Sequence, residues 1–132
     1  MFHSYKPLPA EGWERSDTVC FDMPKGEEDT EGTLFVALRT TAPSGMREVV
    51  LAVEQCSERA EVLRRDTIRC TLADDEGNAT AKGINYHQHE NGLLPFRLQK
   101  GERQSVRIYH LMRSEVIAGI SEVGIRIEKG NR

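Results

Sequence analysis

Four histidines, three cysteines and one acidic run are the residues in this chain whose types invite chemistry. His87 and His89 would fall on one side of a strand, close enough to share a metal ion. A zinc site needs at least a third protein ligand. His110, His3 and several acids are available, but neither an HExxH nor a CxxC spacing occurs, so exposed loop histidines are the simpler reading. His110 alternates with Val106, Ile108 and Met112, which predicts a core imidazole hydrogen-bonded to backbone. A catalytic histidine would need an orienting carboxylate, such as Asp17 or Asp66, and a nucleophile; no Ser or Cys stands in a recognisable nucleophile context. Glu27, Glu28, Asp29 and Glu31 crowd the Pro24–Gly32 stretch without the alternating oxygen ligands and fixed glycine of a calcium loop, and read as a solvated loop. The odd count of Cys20, Cys56 and Cys70 argues against a disulfide framework. Cys70 alternates with Ile68 and Leu72 as a small buried residue, while a Cys56–Cys70 bridge is an option for an exported protein. No catalytic residue, cofactor site or metal site is assigned.

The elements that must position these residues are strands. In Val106–Met112 and Val123–Ile127, apolar residues recur every second position, the mark of a strand with one buried face. Val123, Ile125 and Ile127 share one face; Gly124, Arg126 and Glu128 lie opposite. The same alternation predicts strands over Asp17–Met23, Thr33–Thr41, Arg47–Gln55 and Asp66–Ala73, with Val19, Phe21 and Met23 sharing one face of the first and Leu34, Val36 and Leu38 one face of the second. Thr33–Thr41 and Arg47–Gln55, joined by the Ala42–Gly45 turn, read as an antiparallel pair. Ser57–Arg65 breaks the pattern and reads as a short helical turn or a charged loop with Ser57 as its cap. Asp74–Asn78 is a turn by composition, Ala79–Ile84 an edge strand, and Asn85–Gly92 a polar loop. Leu93–Gln99 is a strand that Pro95 pushes toward an edge or a bulge. Residues 1–16, with Pro7, Pro9 and Gly12, form an extended lead-in, and Trp13 is expected to plug one end of the core. Residues 17–132 then form a single-domain antiparallel β-sandwich, jelly-roll or immunoglobulin-like, of about eight strands.

Composition narrows the function classes. Charged residues make up 30% of the chain, yet both signs are interspersed and the net charge is only −3. No field toward nucleic acid or anionic lipid follows from that balance. No apolar run approaches the roughly 18 residues of a membrane helix. MFHSYKPLPAEGW has neither the basic start nor the apolar segment of a signal peptide. Either the protein is cytosolic, or Met1 stands where an export signal has been removed.

Several segments taken together resemble the gliding-motility lipoprotein H (GldH) family. They are FHSYKPLPAEGW, SDTVCFDM, LFVALRT, RRDTIRCTLADDEG and, above all, IYHLMRSEVIAGISEVGIRIEK. The family pattern has an aromatic-rich lead, a Trp soon after, a strand ending in Arg, and an Asp-Thr before an alternating strand. It closes on Met112-Arg113, Gly119-Ile120 and Val123-Gly124. The resemblance implies a β-sandwich tethered by an N-terminal lipid to a membrane of the cell envelope, facing the periplasm. The lipid-bearing Cys, expected just upstream of Phe2, is not in this chain. The implied partners are other envelope proteins of a gliding and secretion assembly, and the resemblance carries no catalytic residues.

Three functional expectations follow, in order. The first is a non-enzymatic envelope protein with a structural or interaction role. Tyr109 is a candidate for its partner face; Arg113 is expected to pair with an acid in the following loop, with a partner contact as the alternative. The second is a β-sandwich that binds carbohydrate or peptide on a concave face presenting Tyr86, Phe96 or Tyr109. An enzyme comes third, and would need His110 beside an acid in an open cleft.

Overall fold

Alternation along the chain becomes ten strands in a computed structural model: β1 (Phe2–Pro7), β2 (Trp13–Glu14), β3 (Val19–Asp22), β4 (Thr30–Thr41), β5 (Glu48–Ser57), β6 (Val62–Thr71), β7 (Tyr86–Leu98), β8 (Gln104–His110), β9 (Val116–Ile117) and β10 (Ile120–Lys129). The structure describes residues 2–41, 47–72 and 86–130, and only the backbone at 41, 86–89 and 91–93. Eight strands form two antiparallel four-stranded sheets, ordered β1-β10-β4-β7 and β3-β8-β5-β6, while β2 and β9 make a small ribbon. Counted in chain order without the ribbon, the sheets run first-eighth-third-sixth and second-seventh-fourth-fifth. That is a jelly roll, the first of the two expected architectures.

The inner faces make one core. Leu34, Val36 and Leu38 of β4 and Val123, Ile125 and Ile127 of β10 meet Leu51, Val53, Val106 and Ile108 of the other sheet, all without solvent exposure. Each set occupies alternate positions, so the pleat alone sends it inward. Residues at Phe2, Asp22, Ser57, Val62, Leu98, Gln104 and Lys129 lie at one end of the strands, here the Phe2 end. The opposite end is closed by Trp13, which is fully buried and donates its indole N–H to the Asp17 carbonyl at 2.8 Å.

The connections depart from expectation in four places. β4 and β5 are not paired: β4 lies between β10 and β7 in one sheet, and β5 between β8 and β6 in the other. Residues 2–7 of the lead-in form an edge strand, pairing Phe2 with Ile127 through to Pro7 with Glu122. The stretch read as a polar loop, Asn85–Gly92, is mostly strand, since β7 starts at Tyr86 and pairs with β4 along its length. Ser57–Arg65 is neither helix nor loop throughout. Ser57 Oγ accepts the N–H groups of Arg59 and Glu61 in a tight turn with Ala60 at φ 63°, and β6 resumes at Val62. Pro95 sits on an edge strand as expected, where its missing N–H costs no ladder bond. The Ala42–Gly45 turn, the Asp74–Asn78 turn and the Ala79–Ile84 strand lie outside the described residues.

Candidate functional site

At the Trp13 end, His110 ends β8 on the inner face and is completely buried. Its Nε2 lies 3.1 Å from the carbonyl oxygens of both Trp13 and Glu115, so this nitrogen carries the proton. Nδ1 accepts the Met112 N–H at 3.3 Å. The three contacts define a neutral imidazole, and burial pushes its pKa below the usual 6.5. Trp13 packs edge-on against the ring, with centroids 5.4 Å apart. The expected core imidazole is therefore what the fold builds. Its partners are backbone groups, so the arrangement holds the 8–15 and 111–117 segments together and offers no general base.

Around this plug lies the most exposed functional candidate. The Arg15 guanidinium donates to the carbonyls of Met112 and Arg113, each at 2.6 Å, and Met112 Sδ accepts the Val50 N–H. Arg113 is exposed, and its carbonyl, rather than its guanidinium, fixes the turn. The internal ion pair favoured for Arg113 is not what holds this turn. Tyr109 faces outward from β8, half-buried, and donates its hydroxyl to Glu54 at 3.2 Å. A cleft of about 520 Å³ lies beside it, walled by Glu14, Arg15, Thr18, Tyr109, Glu115 and Val116. Val116 is 47% exposed and Leu111 38% exposed. Tyr109 and Arg113 thus sit at one end of the molecule with two uncovered apolar side chains near them.

A second cluster, invisible to local pattern, covers the outer face of the β1-β10-β4-β7 sheet. Tyr5 lies across Gly124, and the Arg39 guanidinium stacks 3.9 Å from the Tyr5 ring while pairing with Glu122 at 2.7 Å. Burial raises the Tyr5 hydroxyl's pKa, against the pull of Arg39. Next to it Arg126 stacks 4.1 Å from the Phe35 ring and grips Glu90 through two nitrogens, at 2.7 and 3.1 Å. That grip holds the Glu90 carboxyl below its ordinary pKa and raises Arg126 further. The charged groups pair with one another, whereas the buried Tyr5 hydroxyl finds no hydrogen-bond partner among the described residues.

The remaining candidates do not converge. Phe96 is buried on the inner face of its sheet, whereas Tyr109 is on the outer face of the other, so they cannot form one aromatic platform. Tyr86 starts β7, and its side chain lies outside the described residues, as do those of His87 and His89. Among the described residues no three potential metal ligands cluster. In the acidic run, Glu28 pairs with Lys129, which lowers its pKa, and Asp29 accepts the Lys100 N–H. The Cys56–Cys70 bridge is not formed. Cys70 pairs opposite Val49, seven positions (56 − 49) from Cys56 along β5, or about 23 Å at ~3.3 Å per residue.

A match to the GldH lipoprotein family spans residues 1–127. The chain belongs to the GldH lipoprotein family. Segments that carried the resemblance meet in space in this family member: Tyr5 of the lead, Arg39 at a strand end and Gly124 of the closing motif form one cluster, and Trp13 meets the segment holding Met112 at the other. No curated protein matches the chain. Among solved structures it is similar to a CocE/NonD family hydrolase from Staphylococcus aureus, at 11% identity and TM-score 0.51, over 98% of this chain and 33% of that one. The GldH-family chain thus spans about a third of the hydrolase, and the likeness is one of fold alone. A tumour-necrosis-factor protein, Eiger of S. frugiperda, aligns at 11% identity and TM-score 0.35, over 82% of this chain and 64% of that one. No helix among the described residues is long and apolar enough to cross a membrane.

Proposed function

We propose that this chain is the folded domain of a non-enzymatic, lipid-anchored envelope protein, tethered by its N-terminus and presenting its Trp13 end to another protein of a gliding or secretion assembly. The observation that supports this reading is polarity along the strands. Phe2 starts β1 at one end, while Tyr109, Leu111, Arg113 and Val116 gather at the other. A tether at the first end leaves the second facing away from the membrane. Half-exposed apolar residues beside a cleft suit a protein contact better than a solvated loop.

The experiment is metabolic labelling of the full-length protein with a fatty acid, followed by solubilisation and co-purification. Label on the protein and co-purification of an envelope protein, lost on Tyr109→Ala with Arg113→Glu, is the expected result. An unlabelled protein would overturn the tether. A labelled protein whose partners survive that double substitution would overturn the choice of surface.

A further inference from the structure

At the Phe2 end a second pair of apolar side chains is uncovered. Val62 is 50% exposed and Leu63 52% exposed, and they open β6 immediately after the Ser57–Glu61 turn. Their exposure has a local cause. The β5–β6 register runs Gln55 to Arg64 and then Cys56 to Val62, so Leu63 has no partner and forms a bulge. A bulge bends its strand and turns side chains away from the regular pleat. Here it brings Leu63 to the mouth of a groove lined by Gln55, Arg64, Pro95 and Gln104.

We infer that the β5–β6 hairpin is a second membrane contact, seating Val62 and Leu63 in the interface of the bilayer that holds the lipid tether. This rests on the N-terminal tether proposed above. The register places hairpin and tether on one end. Phe2 and Met23 wall a common cleft with Leu98 and Lys129, Met23 donates its N–H to the Gln104 carbonyl, and Gln104 pairs with Ser57 at the hairpin. A chain held at Phe2 therefore brings Val62 and Leu63 toward the same surface. The charges flanking the turn, Glu58, Arg59, Glu61 and Arg64, are mixed in sign. The contact is consequently apolar rather than headgroup-selective.

The test uses the full-length lipidated protein reconstituted in phosphatidylethanolamine–phosphatidylglycerol vesicles containing brominated acyl chains, which quench tryptophan emission on contact. Leu63→Trp and Val116→Trp each place a probe at an exposed site; the buried native Trp13 is a background common to both. The emission added by Leu63→Trp is expected to be quenched, and that added by Val116→Trp to be unchanged. No quenching at either site on vesicle-bound protein would overturn the hairpin contact and leave the tether standing. Equal quenching at both would overturn the end-on orientation. Protein that does not stay on the vesicles would overturn the tether itself.

Discussion

The ring of Tyr5 occupies the space that a side chain at position 124 would need. A Cβ on Gly124 would lie 2.5 Å from Tyr5 Cδ1 and 2.9 Å from the Ser4 carbonyl oxygen. Edge strand β1 is therefore seated on the sheet through a missing side chain. Gly124→Ala should cost about 1–3 kcal/mol, the usual range for overpacking. Tyr5→Ala removes the ring but leaves the Ser4 contact, so the two substitutions should couple by at least about 0.5 kcal/mol. Urea unfolding of both single variants and the double variant measures this; additive losses would mean that the ring can move aside without cost.

Ile125 and Leu63 give opposite answers to the same substitution. Ile125 is fully enclosed, so Ile125→Arg places an unpaired charge in the core at several kcal/mol, against a total stability of about 5–15. Leu63→Arg at a half-exposed bulge should change stability by no more than about 0.5 kcal/mol. Thermal unfolding of the two variants checks the orientation of both strands.

Acid should loosen the Trp13 end. Because the folded-state pKa of His110 is depressed, its contribution is complete above about pH 6.5, the unfolded value. As pH falls below that value the unfolded chain takes up a proton that the folded state refuses, and stability drops until the folded pKa is reached. Protonation also puts a hydrogen on Nδ1, where Met112 N–H now donates. Denaturant unfolding at pH 7.5 and pH 5 should show a loss that His110→Gln removes from the difference. An equal loss in both proteins would assign the acid response to carboxylates such as Glu90 instead.

Edge strand β7 is closed by side chains of the opposite sheet. Gln55 Nε2 donates to the Pro95 carbonyl at 3.0 Å, and Gln104 Nε2 to the Arg97 carbonyl at 2.7 Å. The Gln55→Leu, Gln104→Leu protein should lose about 1–3 kcal/mol through unsatisfied carbonyls and should self-associate more readily, because bare strand edges are templates for pairing. Light scattering against concentration tests the second effect.

Much of this was legible in the sequence, for identifiable reasons. A period of two fixes which side chain faces inward, and Val123, Ile125 and Ile127 do so. Trp13 and His110 were readable as core because each type and position matched a buried role. Alternation does not say which sheet a strand joins, and so β4 and β5 were paired in expectation and separated in the fold. β7 was hidden over 86–92 because polar residues on an edge strand look like loop. The Tyr5–Arg39–Gly124 cluster draws on positions 34 and 85 residues apart (39 − 5 and 124 − 39), beyond any local signal. Tyr109 was singled out as an aromatic on a strand, but the Leu111 and Val116 exposure that gives it a setting depends on how the 111–117 turn packs.

The pairing of the first strand with the last has a mechanical consequence. β1 is joined to β10 over all six of its residues, with Phe2 at one end of the molecule and Pro7 toward the other. A load drawn between a tether at Phe2 and a partner at the Trp13 end runs parallel to these strands. It shears the ladder, so that its bonds share the force and must yield together instead of opening one by one. Beyond Pro7 the chain is then gripped again by Trp13, His110 and Arg15. Pulled in that direction the domain should resist as a clasp; pulled sideways at Phe2, the same strand should peel away at far lower force.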